Sequence, residues 1–346
     1  MGLNFSMAGQ ESSLTQYSGV PKEKQMIGAM LENDVFAGTD NNYTNGARIE
    51  WMSSTDEDPN SFNACLGTLM GGTNASSSWR RFMGMGNSEL LTQQWGVSLT
   101  QLIFTPELKS RKPLWGQHPY VGSLCLALTS IVKSEDRSNV FNVQVGWTGP
   151  SSLSKQCQRM IHTMLKMEQW PGWANQMPGE CIFNFNFTRQ YRLRFLESNS
   201  VCGLETDGLA YWFAQAGTIA IQGGGGFMLR FGKNLPNTGF SNSARSITPI
   251  SSPFIYNKAY SSNWSLYGFI GGEVKYVGRN LYLDGPAFHS YPKYVQKFPF
   301  VASWSFGVGT RYKDLFLDVG WSFETKEYHT QRHIHGTACI QAKWAF

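Results

Sequence analysis

Apolar and polar residues alternate along much of the chain, most clearly in Phe183–Phe195 (FNFNFTRQYRLRF). Its large apolar residues share one face, whereas the other face carries Asn184, Asn186, Thr188, Gln190, Arg192 and Arg194. A period of two over this length predicts a strand with one apolar and one polar face. Arginines inside and large aromatic residues outside favour a transmembrane barrel over a soluble sandwich, because lipid meets the apolar face of such a barrel.

The same alternation predicts twelve strands, an even number that is typical of bacterial single-chain barrels. They are residues 25–34, 43–53, 93–104, 119–133, 137–148, 181–196, 204–216, 219–232, 263–278, 298–312, 315–326 and 335–346. The last strand ends in Phe346 at the C-terminus, as in signals that outer-membrane assembly machinery recognises. The prediction is an all-β fold: a twelve-stranded antiparallel transmembrane β-barrel over residues 25–346, preceded by an N-terminal extension, residues 1–24.

One connection contains a helical pattern. If both termini are periplasmic, the segment 149–180 is extracellular, and its apolar residues recur at helical spacing: Leu153, Cys157, Met160, Ile161, Met164, Leu165 and Met167. Ser151 or Ser152 can cap this helix, and Pro171–Trp173 ends it. We expect a short helix of about fifteen residues in this extracellular loop, against the barrel wall. The periplasmic connections 54–92 and 233–262 are longer than such turns usually are, and the sequence gives no reason for their length.

Composition supports a barrel and argues against several other classes. Of the 346 residues, 15% are charged and 14% aromatic, and the net charge of +5 is too weak and dispersed to indicate nucleic-acid binding. No apolar run reaches the 18 or so residues of a spanning helix. No signal peptide is visible, so we expect the mature form behind a start methionine, although MGLNFS also fits the myristoylation pattern. Six cysteines show no zinc-like spacing; Cys125, Cys181 and Cys339 lie in strand patterns as small apolar residues.

Residues whose side chains could take part in catalysis or metal binding gather at the predicted outer end. Asn33 and Asp34 finish the first strand, Thr44 begins the second, and His162 lies on the loop helix with Glu168 six residues later. Asp34, Thr44 and Glu168 offer hard oxygen ligands of the kind that suits Ca²⁺, which could stabilise an oxyanion with help from Asn33. An imidazole such as that of His162 can take a proton from water. These groups suffice for ester hydrolysis, and no G-x-S-x-G serine elbow is present.

Each signal also has an ordinary structural explanation. An Asp-Asn pair at a hairpin mouth is common turn chemistry, and a histidine on an amphipathic helix is often a surface or core residue. Lys109, Arg111 and Lys112 in LKSRKP could be a solvated loop, or could bind lipid phosphates. His333 and His335 could share a strand face and bind a metal, or could be plain loop residues.

Two long segments around these residues resemble a known family, the outer-membrane lipid A 3'-O-deacylases. ENDVFAGTDNNYTNG resembles the N-terminal signature of that family, and GPSSLSKQCQRMIHTMLKMEQWPGWANQ resembles its second signature. The segments MLRFGKNLPNTGF and VGRNLYLDG and the Phe-terminated last strand extend the similarity over about residues 25–346. The family has a basic residue in its second outer loop. In this chain that position corresponds to Ser110 in strict register, or to Lys109 after a one-residue gap.

The resemblance implies a site between the barrel wall and a loop helix, and Ca²⁺-assisted hydrolysis of the 3'-linked acyloxyacyl ester of lipid A. It implies that His162 is the base, that Asn33, Asp34, Thr44 and Glu168 complete the catalytic set, and that Asp34, Thr44 and Glu168 serve the metal. The expected location is the bacterial outer membrane, with the active site at the outer leaflet and lipopolysaccharide as the partner of a monomer or weak dimer. The alternatives are an outer-membrane phospholipase, an inactive porin or adhesin barrel, and a soluble β-sandwich binding module.

Overall fold

The strands of the computed structural model form one antiparallel sheet that closes on itself. The structure describes residues 22–38, 42–55, 61–86, 91–164, 166–201, 204–238, 243, 245, 249–256 and 262–346. The strands are β1 (Met26–Asn33), β2 (Asn42–Met52), β3 (Thr92–Thr105), β4 (Val121–Lys133), β5 (Arg137–Thr148), β6 (Cys181–Arg192), β7 (Ser198–Val201), β8 (Leu204–Gly217), β9 (Ala220–Lys233), β10 (Trp264–Asn280), β11 (Phe300–Tyr312), β12 (Leu315–Glu324) and β13 (His335–Ala345). The short β7 pairs only with β8, so the ring itself has twelve strands, as predicted.

Closure joins the two ends of the chain. Consecutive strands pair around the ring, β6 pairs directly with β8, and β1 pairs with β13 from Met26 opposite Ala345 to Asn33 opposite Ala338. The first and last strands therefore begin and end at the same rim. The candidate chemistry lies at the other rim, because Asn33 is the last residue of β1.

Alternation separates the lumen from the outer surface. In β13, Cys339, Gln341 and Lys343 are buried, whereas Ile340 and Trp344 are exposed. In β6 the asparagines are buried and Phe183 and Phe185 are exposed, as the sequence predicts. Because the buried set is polar and the exposed set is apolar, the barrel has a hydrophilic interior and an apolar outer surface, as required by lipid.

The predicted end of β6 was wrong. The strand stops at Arg192 because its partner β5 begins at Arg137, opposite Tyr191, and offers no further ladder. Residues Arg194–Leu196 form a 3-10 turn instead. Arg194 is exposed and donates to Asp136, so it does not line the lumen.

Four short helices accompany the strands in the described residues: α1 (Phe62–Leu69), α2 (Ser77–Phe82), α3 (Ser154–Met164) and α4 (Leu281–Asp284). Among those residues no helix has the length and apolar character that crossing a membrane would need. Both α1 and α2 lie in the connection between β2 and β3, whose length the sequence left unexplained. In the described part of that connection there are helices and no strand.

Described residues of the other long connection, between β9 and β10, lie in the lumen. Ile250 packs in a cluster with Met26, Met52 and Phe316, and its N–H donates to Glu50 at 3.3 Å. Further along the barrel axis, Arg245 reaches Glu324 at the outer end of β12. The described residues of 234–263 therefore act as an internal plug, which accounts for the length of this connection.

The terminal extension and cysteines have simple outcomes. Of the predicted extension 1–24, only residues 22–24 are described, and Glu23 accepts from the luminal Lys133 at 2.8 Å. Cys65, Cys125, Cys157, Cys181 and Cys339 are free thiols; Cys202 lies outside the described residues. Cys125, Cys181 and Cys339 lie in strands, as predicted; Cys125 and Cys339 are buried, whereas Cys181 is exposed at the start of β6.

A buried ion pair links β12 and β13 inside the barrel. Lys343 Nζ lies 2.8 Å from Asp318, and neither side chain has exposed surface. We expect Lys343→Met to destabilise the barrel by about 3–5 kcal/mol, because it leaves a buried carboxylate without its cation. Urea unfolding in lipid vesicles measures this change, with the exposed Lys326→Met as the control.

Adding Asp318→Asn to Lys343→Met should restore most of the lost stability, since asparagine removes the buried charge and can still accept from the Tyr267 hydroxyl. A loss in the double variant equal to that in the single variant would contradict an electrostatic origin.

Candidate functional site on the outer wall

The hairpin between β1 and β2 places three polar residues at the rim. Asn33 Oδ1 accepts the N–H of Val35 at 2.9 Å, and the backbone N–H of Asp34 donates to the carbonyl of Thr44 at 3.3 Å. A 3-10 turn, Val35–Ala37, follows, and Asp34 is fully buried. Because the turn uses the side-chain carbonyl of Asn33, its Nδ2 amide is the group that could donate to a ligand.

A β-bulge sets the position of Thr44. Tyr43 pairs with Phe104 and Asn45 pairs with Ile103, so Thr44 is an extra residue with no partner in the ladder. Its hydroxyl lies 2.7 Å from that of Thr105. The bulge turns Tyr43 towards the luminal cluster that contains Phe104, while Thr44 lies with the polar groups at the rim.

Asn33 and Thr105 belong to the outer surface of the barrel wall. In β1 the exposed large side chains are those of Ile27 and Leu31, and in β3 they are those of Val97 and Leu99. Asn33 and Thr105 continue these odd-numbered rows, yet Thr105 is completely buried. Something must therefore cover the polar end of this otherwise lipid-facing surface.

The cover is α3, which packs against β3 and β4. Its buried side chains are Ser154, Gln158 and His162, one residue every four, so a polar stripe faces the wall. The predicted apolar stripe is not what faces the wall: Met160 and Met164 are exposed, Met164 by 74%, and Leu165 lies outside the described residues. The usual amphipathic rule inverts here, since the wall beneath the helix is polar and the surroundings of a transmembrane barrel are apolar.

The start of α3 also differs from the prediction. The helix spans 11 residues from Ser154, after a separate 3-10 turn, Gly149–Ser152. The Ser152 hydroxyl donates to the carbonyl of Gly149 at 2.6 Å, within that turn. Leu153, whose φ is 58°, separates the two elements, and its carbonyl accepts the N–H of Cys157 at 3.0 Å.

A glycine on β4 forms the seat of the helix. A Cβ atom at Gly122 would lie 1.8 Å from the Ser154 hydroxyl oxygen and 2.2 Å from its Cβ. On the neighbouring strand, Gln101 Nε2 donates to the carbonyl of Ser152 at 2.6 Å. The absence of a side chain at position 122 therefore allows the helix to approach the wall closely.

Aromatic residues brace the segment that follows α3. Trp170 and Trp173 pack with Ile103 and Tyr120, and Trp173 donates to Gln158 on the polar stripe. The Tyr120 hydroxyl donates to the carbonyl of Ser110 at 3.1 Å, and burial raises the pKa of this phenol, which keeps its proton. The helix is thus held at both ends.

The ring of His162 has a fixed orientation. It is 3% exposed, and its Nδ1 lies 2.7 Å from the backbone carbonyl of Glu168. A carbonyl only accepts, so Nδ1 carries the hydrogen, and Nε2 is the nitrogen at which the neutral form of the ring has its lone pair. This tautomer is the one that a general base needs.

Glu168 orients two groups through different atoms. Its carbonyl holds His162, whereas its carboxylate, 76% exposed, pairs with Lys109 Nζ at 2.9 Å. Lys109 Nζ also lies 5.3 Å from the centroid of the Trp170 ring. Lys109 is thereby adjacent to the site, whereas Arg111 and Lys112 lie exposed further along the loop.

The oxygen donors at the hairpin are of the type that a hard cation prefers. The buried carboxylate of Asp34 and the oxygens of Thr44 fit Ca²⁺ in chemistry. No group of three or more His, Cys, Asp or Glu residues within the described part of the chain is arranged to hold a metal. A cation at this hairpin would therefore rely on one carboxylate and several neutral oxygens.

The hairpin is backed from the lumen by Glu32 and Arg245, which the sequence did not indicate, and by His335. Tyr43 donates to Glu32, and the Arg245 guanidinium of the plug lies 4.6 Å from the centroid of the Tyr43 ring. His335 Nε2 lies 3.0 Å from the Tyr43 carbonyl, so His335 supports the hairpin, whereas His333 is exposed. Only the adjacency of Tyr43 to Thr44 could have pointed to this support.

His118 belongs to this luminal side as well. Its ring stacks on Phe104 with centroids 5.0 Å apart. Burial lowers its pKa to about 4, so the ring is neutral near pH 7. Of the histidines at this rim, His162 is the one that the helix presents on the outer side of the wall.

Comparison with known proteins supports the barrel and identifies related sequences. A family model described as outer membrane protein LpxR matches residues 2–346. The chain is similar in structure to LpxR from Salmonella typhimurium, with a TM-score of 0.68 and 14% identity, over 93% of this chain and 100% of that one. At this identity the structural likeness shows the fold alone. No curated protein sequence matches the chain.

Other bacterial barrels are more distant. The β domain of the Bordetella autotransporter BrkA gives a TM-score of 0.43 at 8% identity, over 94% of this chain and 100% of that one. The translocator domain of NalP from Neisseria meningitidis gives 0.37 at 7% identity, over 94% and 88%. These similarities are too low to inform the site.

Displacing α3 from its glycine seat should open the site without unfolding the barrel. In Gly122→Ala, the added methyl group meets Ser154, so we expect the helix to move off the wall and trypsin to cleave faster after Lys155 and Arg159. Gly223→Ala is the matched control, since its Cβ would meet only the Phe213 carbonyl oxygen at 3.3 Å. Unchanged cleavage in Gly122→Ala would show that the helix does not depend on this close approach.

Proposed function

Since the chain belongs to the outer membrane protein LpxR family, which is the lipid A 3'-O-deacylase family that its motifs resemble, we propose that it hydrolyses the 3'-linked acyloxyacyl ester of lipid A. It is an integral outer-membrane barrel, and lipid A is the substrate at the level of the family. The specific reaction, its base and its cation are our proposal. The observation that carries it is the buried, oriented His162 held on the lipid side of the wall.

The position of the site suits a lipid substrate. The polar stripe of α3 and the polar end of the wall enclose the chemistry, while Met160 and Met164 extend the apolar surface around it. A lipid ester could thus approach sideways from the bilayer and keep its acyl chains in hydrocarbon. We place the site at the outer leaflet, at the rim opposite the chain termini.

Hydrolysis needs one proton to move twice. His162 Nε2 accepts a proton from water while the water oxygen attacks the ester carbon. The bond between that carbon and the sugar oxygen then breaks, and the imidazolium returns its proton to the departing sugar oxygen. The products are a free acyloxyacyl acid and a 3'-hydroxyl on lipid A. The carbonyl of Glu168 holds the ring and stabilises the imidazolium through the Nδ1 hydrogen bond.

Negative charge that develops on the ester oxygen requires donors close to it. Asn33 could supply its Nδ2 amide, and Asp34 with Thr44 would hold Ca²⁺, which when bound supplies positive charge to polarise the carbonyl. The carboxylate of Glu168 engages Lys109, so in this arrangement Glu168 acts mainly by orienting His162 and Lys109. Lys109 stands nearest the site among the three basic loop residues and would bind a lipid A phosphate, with Arg111 and Lys112 further out.

Phospholipase activity is the main rival, because the same groups could hydrolyse a glycerophospholipid ester. A porin is disfavoured because described residues of the plug and the luminal clusters occupy the lumen; a cavity of about 150 Å³ among them is lined by residues such as Arg245, Glu273 and Lys275. The deciding experiment is mass spectrometry of lipid A and of phospholipid after incubation with the purified protein. Loss of the acyloxyacyl mass from lipid A alone supports the proposal, and loss of acyl chains from phospholipid alone transfers the site to the rival.

Removing the base should stop the reaction. We expect His162→Ala to lower the rate of lipid A deacylation by about 10²–10⁴-fold, which is the usual contribution of a general base. The exposed His333→Ala serves as the control and should retain full activity. Heat-modifiable migration in gels checks that both barrels are folded; full activity of a folded His162→Ala protein would remove His162 from the mechanism.

Calcium dependence has a separate signature. Chelation should abolish deacylation and added Ca²⁺ should restore it, and Asp34→Asn should raise the Ca²⁺ concentration needed for half-maximal activity, because it removes the carboxylate from the donor set. A Ca²⁺ titration of activity measures this shift. Chelator-resistant turnover would exclude the metal from the reaction, whatever the role of His162.

A further inference from the structure

The described part of the connection between β2 and β3 lies on the outside of the barrel, at the rim opposite the candidate site. Its described residues 61–86, here called the rim hairpin, comprise α1 and α2 with their turns. Met70 and Met85 pack in a cluster with Val132, Phe141 and Phe187. In β5 and β6, Phe141 and Phe187 continue the rows of exposed residues Val145 and Phe185, which face away from the lumen. The rim hairpin therefore covers the outer wall, where a membrane would surround the barrel.

Polar groups of the wall fasten the rim hairpin in place. Asn139 Nδ2 donates to the carbonyls of Met70 and Met83, each at 2.9 Å, and Arg189 Nε donates to Asn139 Oδ1 at 3.0 Å. Arg137 donates to the carbonyl of Gly84 at 2.9 Å. These bonds satisfy the carbonyls at the ends of two short helices, so the hairpin has a defined position rather than that of a loose loop.

The surface turned away from the wall is apolar and aromatic. α2 has no buried residue, and it presents Trp79 and Phe82 as a stacked pair with ring centroids 5.1 Å apart. Phe82 is 73% exposed, and Phe62 and Leu69 of α1 are exposed as well. Exposure of such an apolar cluster to water is unfavourable, and exposed patches of this kind mark contact sites for a membrane or another molecule.

This surface continues the lipid-facing surface of the barrel. The ring centroids of Phe62 and Trp95 lie 5.3 Å apart, and those of Trp95 and Trp51 lie 5.0 Å apart. Trp95 lies in the same outward row of β3 as Val97 and Leu99, near the start of the strand. Tryptophan is enriched where a barrel passes from hydrocarbon to headgroups, so the rim hairpin extends this aromatic boundary sideways.

The charge of the hairpin selects the kind of headgroup. Its residues 61–86 include Arg80 and Arg81 and no Asp or Glu, and Arg137 and Arg189 lie against it from the wall. Arg80 donates to the carbonyls of Gly72 and Thr73, whereas Arg81 is exposed beside Phe82. The nearby acidic residues Glu135 and Asp136 are paired with Arg194. The net positive charge complements phosphate.

We propose that the rim hairpin is a membrane-interface element that inserts Trp79 and Phe82 among acyl chains and binds the phosphates of anionic glycerophospholipids through Arg81. That these lipids belong to the periplasmic leaflet rests on the proposed function, which places the site at the opposite leaflet. Lipid binding by the hairpin does not depend on it. The element thus fixes the depth of the barrel in the membrane at the rim where α3 is absent.

Depth measured by spin labels tests the apolar part. Nitroxides are attached in turn at Phe82→Cys and at Ser77→Cys, in a full-length background whose native cysteines are replaced by alanine, and the barrel is reconstituted in phosphatidylethanolamine–phosphatidylglycerol bilayers. Ser77 is the matched control, because it is exposed on the opposite side of the same helix. We expect the label at 82 to collide with oxygen and to be shielded from a water-soluble nickel chelate, and the label at 77 to collide with the chelate.

Every other pattern at position 82 overturns the proposal. Free collision with the nickel chelate would place the hairpin in water. Shielding from both oxygen and nickel would indicate a protein contact, either a second copy or another chain, in place of lipid. Neither result depends on deacylation, so failure of this inference and failure of the proposed function are distinguishable.

Native mass spectrometry tests the charged part. We expect Arg81→Gln to weaken binding of phosphatidylglycerol by about fivefold, the effect of one cation at a membrane surface, and to leave phosphatidylcholine binding unchanged. Arg332→Gln, which is exposed at the other rim, is the control. Equal affinity of the Arg81→Gln and unaltered proteins for phosphatidylglycerol would exclude Arg81 as the phosphate ligand.

Discussion

The contact between the polar stripe of α3 and the polar end of the barrel wall is the interaction on which the rest of the site depends. Polar groups on the outer surface of a transmembrane barrel would face hydrocarbon, where unsatisfied hydrogen-bonding groups are costly. The helix removes this conflict because Ser154, Gln158 and His162 face the wall and methionines face outward. The absence of a side chain at Gly122 makes the contact close enough to exclude lipid. Polar side chains can therefore be kept on the outer surface of a membrane barrel, in a site that α3 separates from the hydrocarbon.

The wall beneath that contact is rigid because the lumen supports it. Arg245 on the plug contacts Tyr43 and pairs with Glu324 and Glu327. Burial is the main cause that raises the pKa of Glu327, and repulsion from Glu324 is the second. A hairpin with polar groups on one side and a packed, charged lumen on the other has little freedom to change the spacing of Asp34 and Thr44. The two sides of one strand pair thus divide the work: the lumen holds the geometry and the outer side carries the candidate site.

The strands were predictable because each has one luminal polar face and one lipid-facing apolar face. In β6 and β13 buried and exposed residues alternate, as the period of two in the sequence predicts. Sequence also indicated the residues of the candidate site, since Asn33, Asp34, Thr44 and His162 sit at the ends of elements where polar groups are conspicuous. It failed where partners come from distant elements. The helical pattern identified α3 but not its orientation, because the rule that apolar faces point inward assumes water outside. Nothing local in Arg245 shows that it crosses the lumen to reach Tyr43, and Arg194 left the strand only because β5 ends opposite Tyr191.

The plug also constrains how the barrel can assemble. It is an internal segment, tethered at both ends to neighbouring strands β9 and β10, so it enters the lumen as a loop from the rim that carries those two ends. Its Arg245 pairs with Glu324 on β12 and with Glu327 just beyond that strand, and Glu324 also pairs with Lys275 on β10. All of these lie in the C-terminal half of the chain. The contacts of the plug with Glu50 and Tyr43 lie on β2 in the N-terminal half. The plug can therefore complete its contacts only when the two halves come together, at the seam where β1 pairs with β13.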